Sequence, residues 1–147
     1  MKKLFLSLLL VAILLSACSP ARTELEQNRD KWSQAGITHY RFQLSVGCFC
    51  AFRDLMPLTV EVKDGVIVSI SDSRGDPVPA EQLEFFDQYN TLERLFDYTA
   101  QAQKDADEVT VTYDTTYGFP AQVSIDNIKE AVDDELGLSV LNFEVLK

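Results

Sequence analysis

The sequence is poor in the residues that metal centres, disulfide scaffolds and hydrolytic sites use most. Its 147 residues include 3 cysteines, 2 methionines, 1 histidine and 1 tryptophan. Three cysteines exclude a disulfide-dense scaffold, and the single histidine, His39, leaves little for a zinc site or a catalytic triad. No G-x-S-x-G, H-E-x-x-H or phosphate-loop motif occurs. We therefore predict a protein that is not an enzyme and that has no cofactor.

Positive charge is also scarce. Lysine and arginine number 13 against 23 acidic residues, a net charge of −10. Such a chain repels phosphate backbones, so we predict no nucleic-acid partner. Because 46% of the residues are hydrophobic and 24% are charged, wholesale disorder is excluded.

The first apolar run is too short to span a membrane. Lys2 and Lys3 form a basic start, and an apolar stretch follows over residues 4–15. A single-pass anchor needs roughly 20 apolar residues, whereas a basic start and a short apolar run are typical of a secretory signal peptide. We predict that residues 1–17 are this signal peptide and are removed, which leaves a mature net charge of −12.

Leu15-Ser16-Ala17-Cys18 resembles the bacterial lipoprotein box. The resemblance implies cleavage before Cys18, diacylglycerol on the Cys18 sulfur and a further acyl chain on the new amine. More than one chain is needed for stable anchoring, so the membrane would be a partner through this lipid anchor. Ser19 rather than Asp follows Cys18, which in enterobacteria-like sorting favours the outer membrane, with the domain facing the periplasm. Residues 18–22 would be the lipidated tether.

Two main helices are predicted in the remaining domain, residues 23–147. Thr23 and Glu26 have the spacing of a capping box, and the first helix should cover residues 23–35. Asn90, followed by Glu93, is predicted to cap the second, which should end near Asp107. A short helix starting at Pro79 is predicted between them.

Six strands are predicted from alternating apolar residues: 39–46, 58–62, 66–70, 109–113, 121–125 and 138–145. For the second and third strands, a three-residue loop that pairs Val62 with Val66 keeps all apolar side chains on one face. We prefer it to a two-residue Asp64-Gly65 turn. The acidic connection 127–137 is a candidate for a further helix.

Short links between successive strands favour antiparallel pairing. The predicted fold class is therefore α+β: a single antiparallel β-sheet of about six strands with two helices packed on one face, in the order αβββαβββ.

Several clusters together resemble a known family. They are Trp32 with Tyr40-Arg41-Phe42, Cys48-Phe49-Cys50, the helix start 92–96, residues 113–120 leading to Ile125-Asp126, and Asp133-Asp134-Glu135. The pattern is similar to the bacterial lipoprotein family catalogued as domain of unknown function 6174. The resemblance covers nearly all of the mature chain and implies the fold rather than an activity.

The first candidate site is the pair Cys48 and Cys50. In an exported protein the two could form a disulfide. Extended residues at this spacing lie about 6.6–6.8 Å apart, so a bend is needed to join them. A structural disulfide, two free thiols, and a redox or soft-metal site all remain open. His39 is predicted on the other strand face, and no metal site is predicted.

The second candidate is the connection that carries Asp114, Tyr117 and Phe119. It is interpreted either as a packed loop that covers the sheet end or as an exposed aromatic surface for a partner. The third is an acidic set that lacks the spacing of an EF-hand loop and is interpreted as a solvated turn, with calcium as an alternative. Its members are Asp126, Glu130, Asp133, Asp134 and Glu135.

Two functional hypotheses follow. The first is a non-enzymatic, lipid-anchored domain of the bacterial cell envelope that binds an envelope protein still to be identified, or serves a structural role there. The alternative is a thiol-redox or soft-metal-handling lipoprotein that uses Cys48 and Cys50.

Overall fold

The computed structural model describes residues 21–147 and confirms the predicted α+β class. The strands are β1 (His39–Gly47), β2 (Leu58–Lys63), β3 (Val66–Ser71), β4 (Glu108–Tyr113), β5 (Pro120–Asp126) and β6 (Glu135–Val145). The helices are α1 (Glu24–Ala35), α2 (Ala80–Leu83) and α3 (Leu92–Asp105), with single 3-10 turns at Arg53–Leu55 and Glu84–Phe86. The short helix predicted to start at Pro79 is α2.

The six strands form one antiparallel sheet in the order β3-β2-β1-β6-β5-β4. Each half of the chain makes a three-stranded meander, and the two meanders join where β1 pairs with β6. We call the end of the sheet where β1 begins the near end and the end where β1 finishes the far end. The far end also contains the start of β6, the end of β5 and the start of β4.

One face of the sheet is the core. The alternating residues of β1 (Tyr40, Phe42, Leu44 and Val46) are all buried. Helices α1 and α3 pack on this face and bury Trp32, Leu95 and Phe96 in the same cluster, as predicted. Each such large apolar side chain contributes about 1.5–3 kcal/mol on burial. On the opposite face, which we call the outer face, the alternating residues of β1 are polar.

The first helix begins and ends as its sequence predicts. The Thr23 hydroxyl accepts from the Glu26 backbone N–H at 3.2 Å, and the Glu26 carboxylate accepts from the Thr23 N–H at 2.8 Å. Gly36 follows the helix with a left-handed φ of 61°, a conformation that glycine adopts without strain.

The predicted cap of the second main helix is wrong by one residue. Thr91, not Asn90, caps α3, and its hydroxyl accepts from the Arg94 N–H at 3.2 Å. The Asn90 side chain instead accepts from the Arg94 guanidinium and donates to Asp87. Either side chain can cap a helix. The chain turns one residue later than the Asn90–Glu93 spacing indicates, and α3 ends at Asp105.

The preferred register of the β2–β3 hairpin is also wrong. Asp64 and Gly65 both have positive φ and form a two-residue turn, which pairs Lys63 with Val66 and Val62 with Ile67. A bulge between Glu61 and Val62 then restores the pairing of Val60 with Ile70. Val66 and Val68 remain 66% and 58% exposed on this edge strand, because the turn geometry rather than apolar alignment sets the register.

The acidic connection before β6 is not helical, contrary to the helix considered for it. Residues 127–134 form turns, with a hydrogen bond from Ala131 N–H to the Ile128 carbonyl. Strand β6 starts at Glu135, three residues before the predicted start at Leu138, because Glu135, Leu136 and Gly137 continue the ladder to β5.

The predicted signal peptide, residues 1–17, and the predicted lipidation site, Cys18, lie outside the described residues. Of the predicted tether, only Ala21 and Arg22 are described. Among residues 21–147, no helix has both the length and the apolar character needed to cross a membrane.

Candidate functional site

Cys48 and Cys50 form a disulfide at the far end of the sheet, where β1 finishes. The chain bends at Cys48 and Phe49, and the two Cα atoms are 5.2 Å apart, closer than in an extended strand. The predicted bend is therefore present. Both cysteines are partly buried, and Cys48 packs against the core.

The side chain between the two cysteines points away from the core. Phe49 is 82% exposed, whereas half of the aromatic side chains among residues 21–147 are buried. A short disulfide loop restricts its backbone, so the phenyl ring is displayed on a fixed support. The sequence motif singled out the cysteines, but nothing in it distinguished Phe49 as the exposed residue.

Other aromatic residues lie beside this loop. Phe52 stacks on Phe85 at a centroid distance of 5.6 Å and contacts buried Phe86 edge to face at 4.8 Å. Phe85 is 47% exposed. The 48–57 connection is therefore joined to the core by aromatic contacts, and it presents apolar surface outwards.

The structure does not form the exposed aromatic surface considered for Asp114, Tyr117 and Phe119. Phe119 is 3% exposed and packs on Trp32 and Phe143. Tyr117 is half-buried against Phe143. The loop is instead packed against the rest of the domain at the near end.

Hydrogen bonds and a close backbone contact explain the packing of this loop. The Asp114 carboxylate accepts from the backbone N–H groups of Thr116 and Tyr117. Gly118 has a φ of 85°, and a Cβ there would lie 2.7 Å from the Asn28 carbonyl oxygen in α1. Both features close the loop onto the first helix, which identifies Asp114 as a turn-forming residue.

The acidic set lies at the far end and divides into turn and sheet residues. Asp134 accepts from the Ile128 backbone N–H at 2.7 Å and thereby closes the 127–134 connection. Asp126 pairs directly with Glu108 on one side and with Glu135 on the other. Burial, followed by the neighbouring carboxylates, raises the pKa of Asp126 above its ordinary value. Within residues 21–147, no group of three or more His, Cys, Asp or Glu side chains is arranged to hold a metal ion.

A partly buried polar network that sequence reasoning missed links α1, β1 and α3. The Glu93 carboxylate accepts from Trp32 Nε1 at 3.0 Å and from the Tyr40 hydroxyl at 2.8 Å. The Tyr40 hydroxyl also accepts from the Leu92 backbone N–H at 3.2 Å. Burial, with Glu93 beside it, raises the pKa of Tyr40 well above 10. The three side chains of this network were already noted in the sequence, but only tertiary packing brings them together.

A groove of about 340 Å³ lies between α1 and α3, beside this network. Trp32, Ile37 and Phe96 line its apolar part. The Arg29 guanidinium lies 5.3 Å from the centre of the Phe96 ring and donates to Asp97 at 2.6 Å. The charged groups of the groove are thus largely engaged with each other.

The comparisons identify a family and no individual relative. A family model described as "Family of unknown function (DUF6174)" matches residues 24–145. Neither a curated protein nor a solved structure matches the chain. The match confirms the predicted family, whereas the lipoprotein nature of the chain stays a prediction.

Proposed function

The chain belongs to the DUF6174 family, and from this premise we propose that it is a lipid-anchored domain of the bacterial cell envelope that binds another envelope protein. In this proposal Cys18 carries the anchor, the domain faces the periplasm from the outer membrane, and the far end of the sheet is the binding surface. The protein acts by binding and not by catalysis.

The observation that carries the proposal is the display of Phe49. An 82% exposed phenyl ring on a loop closed by a disulfide is an unfavourable arrangement for an isolated soluble domain. Exposed apolar groups of this kind mark interaction sites, and aromatic anchors dominate the energetics of many interfaces. Because the disulfide already restricts the loop, a partner would lose little free energy in ordering it.

The position of the first described residues supports the choice of the far end. Helix α1 lies at the near end. Lys31 donates to the Thr115 carbonyl, Asn28 contacts Gly118, and the first helical residue, Glu24, lies near Tyr113 at the end of β4. A strand of nine residues spans about 30 Å. A lipid on Cys18 would therefore hold the near end towards the membrane and leave Phe49 about 30 Å farther out.

A thiol-redox role is the second candidate, and one observation favours it. Cys50 lines a surface cavity of about 380 Å³ together with Phe49, Ala51 and Arg53. Because a guanidinium close to a cysteine stabilises its thiolate, the presence of Arg53 in the same cavity favours reactivity of Cys50 once the disulfide is reduced.

The test uses the full chain in its bacterial host. A photoreactive phenylalanine analogue replaces Phe49 in one strain and, as the matched control, Val66, which is 66% exposed on edge strand β3. We expect one defined protein to crosslink from position 49 and not from position 66. The crosslinked product should disappear from the membrane fraction when Cys18→Ser removes the anchor.

Two further variants separate the candidates. Phe49→Ser should abolish association with the captured protein, whereas Cys48→Ser with Cys50→Ser should weaken it only as far as the loop loses order. Absence of a crosslink from position 49, or the same product from both positions, would contradict the proposed surface. If Phe49→Ser has no effect on this association and only the double cysteine variant abolishes it, the thiol-redox role replaces the proposed binding role.

A further inference from the structure

The far end carries exposed apolar side chains besides Phe49. Gly47 in β1 pairs directly with Gly137 in β6, so the loop carrying Phe49 and the 127–134 connection emerge from neighbouring strands about 4.8 Å apart. That connection contributes two more exposed aliphatic side chains, Ile128 at 59% and Val132 at 83%. We call Phe49, Ile128 and Val132 the far-end apolar surface.

Carboxylates border this surface on the side of β6. Glu108, Asp126 and Glu135 occupy directly paired positions across β4, β5 and β6. Among their neighbours, Ile125 belongs to the core cluster, and Val109 and Leu136 pack against it, so the three carboxylates alternate onto the outer face. Like charges in directly opposite positions destabilise a sheet. This row of three carboxylates is therefore unfavourable for the stability of the sheet.

Local cations compensate the row only in part. Lys129 Nζ lies 3.7 Å from a Glu108 carboxylate oxygen, with both side chains largely exposed. Asp107 and Asp134 add two more carboxylates near Asp126. Burial is the largest cause of the raised pKa of Asp126, and these charges raise it further. The field over this part of the far end is therefore negative, and a cation placed there would relieve repulsion already present in the free protein.

We infer that the partner presents a segment in which lysine or arginine residues alternate with large apolar ones. This inference rests on the proposed function and specifies the chemistry of its partner. The apolar side chains would contact Phe49, Ile128 and Val132, and the cations would lie over the Asp126 row. Acidic segments are disfavoured by the same charges. Such complementarity acts chiefly on specificity and on the rate of association.

The probe is a pair of short fluorescein-labelled peptides. One alternates lysine with phenylalanine and leucine, and the other carries glutamate at every lysine position. Fluorescence anisotropy measures their binding to the full chain, purified in detergent from its bacterial host. We expect the lysine peptide to bind at least about tenfold more tightly than the glutamate peptide, with an affinity that falls as salt screens the charges.

Matched variants locate the binding. Asp126→Asn with Glu135→Gln should weaken the lysine peptide about fivefold and reduce its salt dependence. The control, Glu24→Gln with Asp64→Asn, removes the same charge at the near end and should leave binding unchanged. Phe49→Ser should weaken both peptides.

The results separate this inference from the proposed function. If both peptides bind equally and both depend on Phe49, the docking surface stands and the cationic partner is refuted. If the near-end control weakens binding as much as the far-end pair, the attraction is non-specific and the inference fails. If neither peptide binds, the inference fails as well, while the crosslink from position 49 still decides the proposed function.

Discussion

Replacing Tyr40 by phenylalanine tests the partly buried network that joins the two main helices to the sheet. The Tyr40 side chain is 1% exposed, and its hydroxyl donates to Glu93 and accepts from the Leu92 N–H. A hydrogen bond to a charged group contributes about 2 kcal/mol, and a backbone N–H left buried without a partner adds about 1 kcal/mol. Because the ring remains, no cavity forms. We expect Tyr40→Phe to lower the free energy of unfolding by about 3 kcal/mol.

Urea denaturation measures this loss, and Trp32, the only tryptophan, reports it by fluorescence from within the network. With a slope of about 2 kcal/mol per molar urea, the midpoint should fall by about 1.5 M. Tyr113→Phe is the control. The Tyr113 hydroxyl is buried and has no hydrogen-bond partner within residues 21–147, so its removal loses no hydrogen bond and should not lower the free energy of unfolding.

The same variant changes the response to alkaline pH. Burial and Glu93 raise the pKa of Tyr40 far above 10, so the folded state keeps this proton where the unfolded state loses it. Tyr40 therefore makes the protein less stable as pH rises above 10, by about 1.4 kcal/mol per pH unit. Tyr40→Phe should remove this contribution to the dependence of the unfolding free energy on pH. An unchanged slope, or a Tyr113→Phe variant as unstable as Tyr40→Phe, would refute the reasoning.

Two further substitutions test other features. Gly118→Ala should lower the Tm by several degrees more than Gly75→Ala. Both positions have positive φ, but only at 118 does a Cβ meet a backbone oxygen, that of Asn28, at 2.7 Å; equal losses would refute the contact. Asp126→Asn should stabilise the protein at pH 7. Since the folded state raises the pKa of Asp126, ionisation is penalised there, and the gain should vanish below the ordinary pKa of aspartate, near pH 3.9. Urea unfolding at both pH values checks this, and a loss of stability at pH 7 would contradict it.

Much of the fold could be predicted because its signals are local. Capping at Thr23, alternation in β1 and the short links between strands each depend on a few neighbouring residues. The register of the β2–β3 hairpin could not be predicted in this way, because the geometry of the Asp64-Gly65 turn and the alignment of apolar side chains favour different pairings. The structure satisfies the turn and accommodates the difference with a bulge.

The candidate site was harder to predict because exposure is a tertiary property. Phe49 and Phe119 are both aromatic residues in connections, and periodicity cannot rank them. Phe119 is buried because α1 crosses the near end and Trp32 contacts it. The loop of Phe49 lies at the opposite end, where β1 finishes. The placement of α1 over one end of the sheet therefore separates the two environments, and this placement is a tertiary property.

The pairing of β1 with β6 has a consequence for how the chain folds. It joins residues 39–47 to residues 135–145, so the middle of the sheet forms from segments that are distant in sequence. Such non-local pairing slows folding, and each meander exposes an unpaired strand until the other arrives. As the chain is made, the first meander must remain free of aggregation until β6 emerges. The final step of folding would thus be the closure of the centre of the sheet, not the addition of an edge strand.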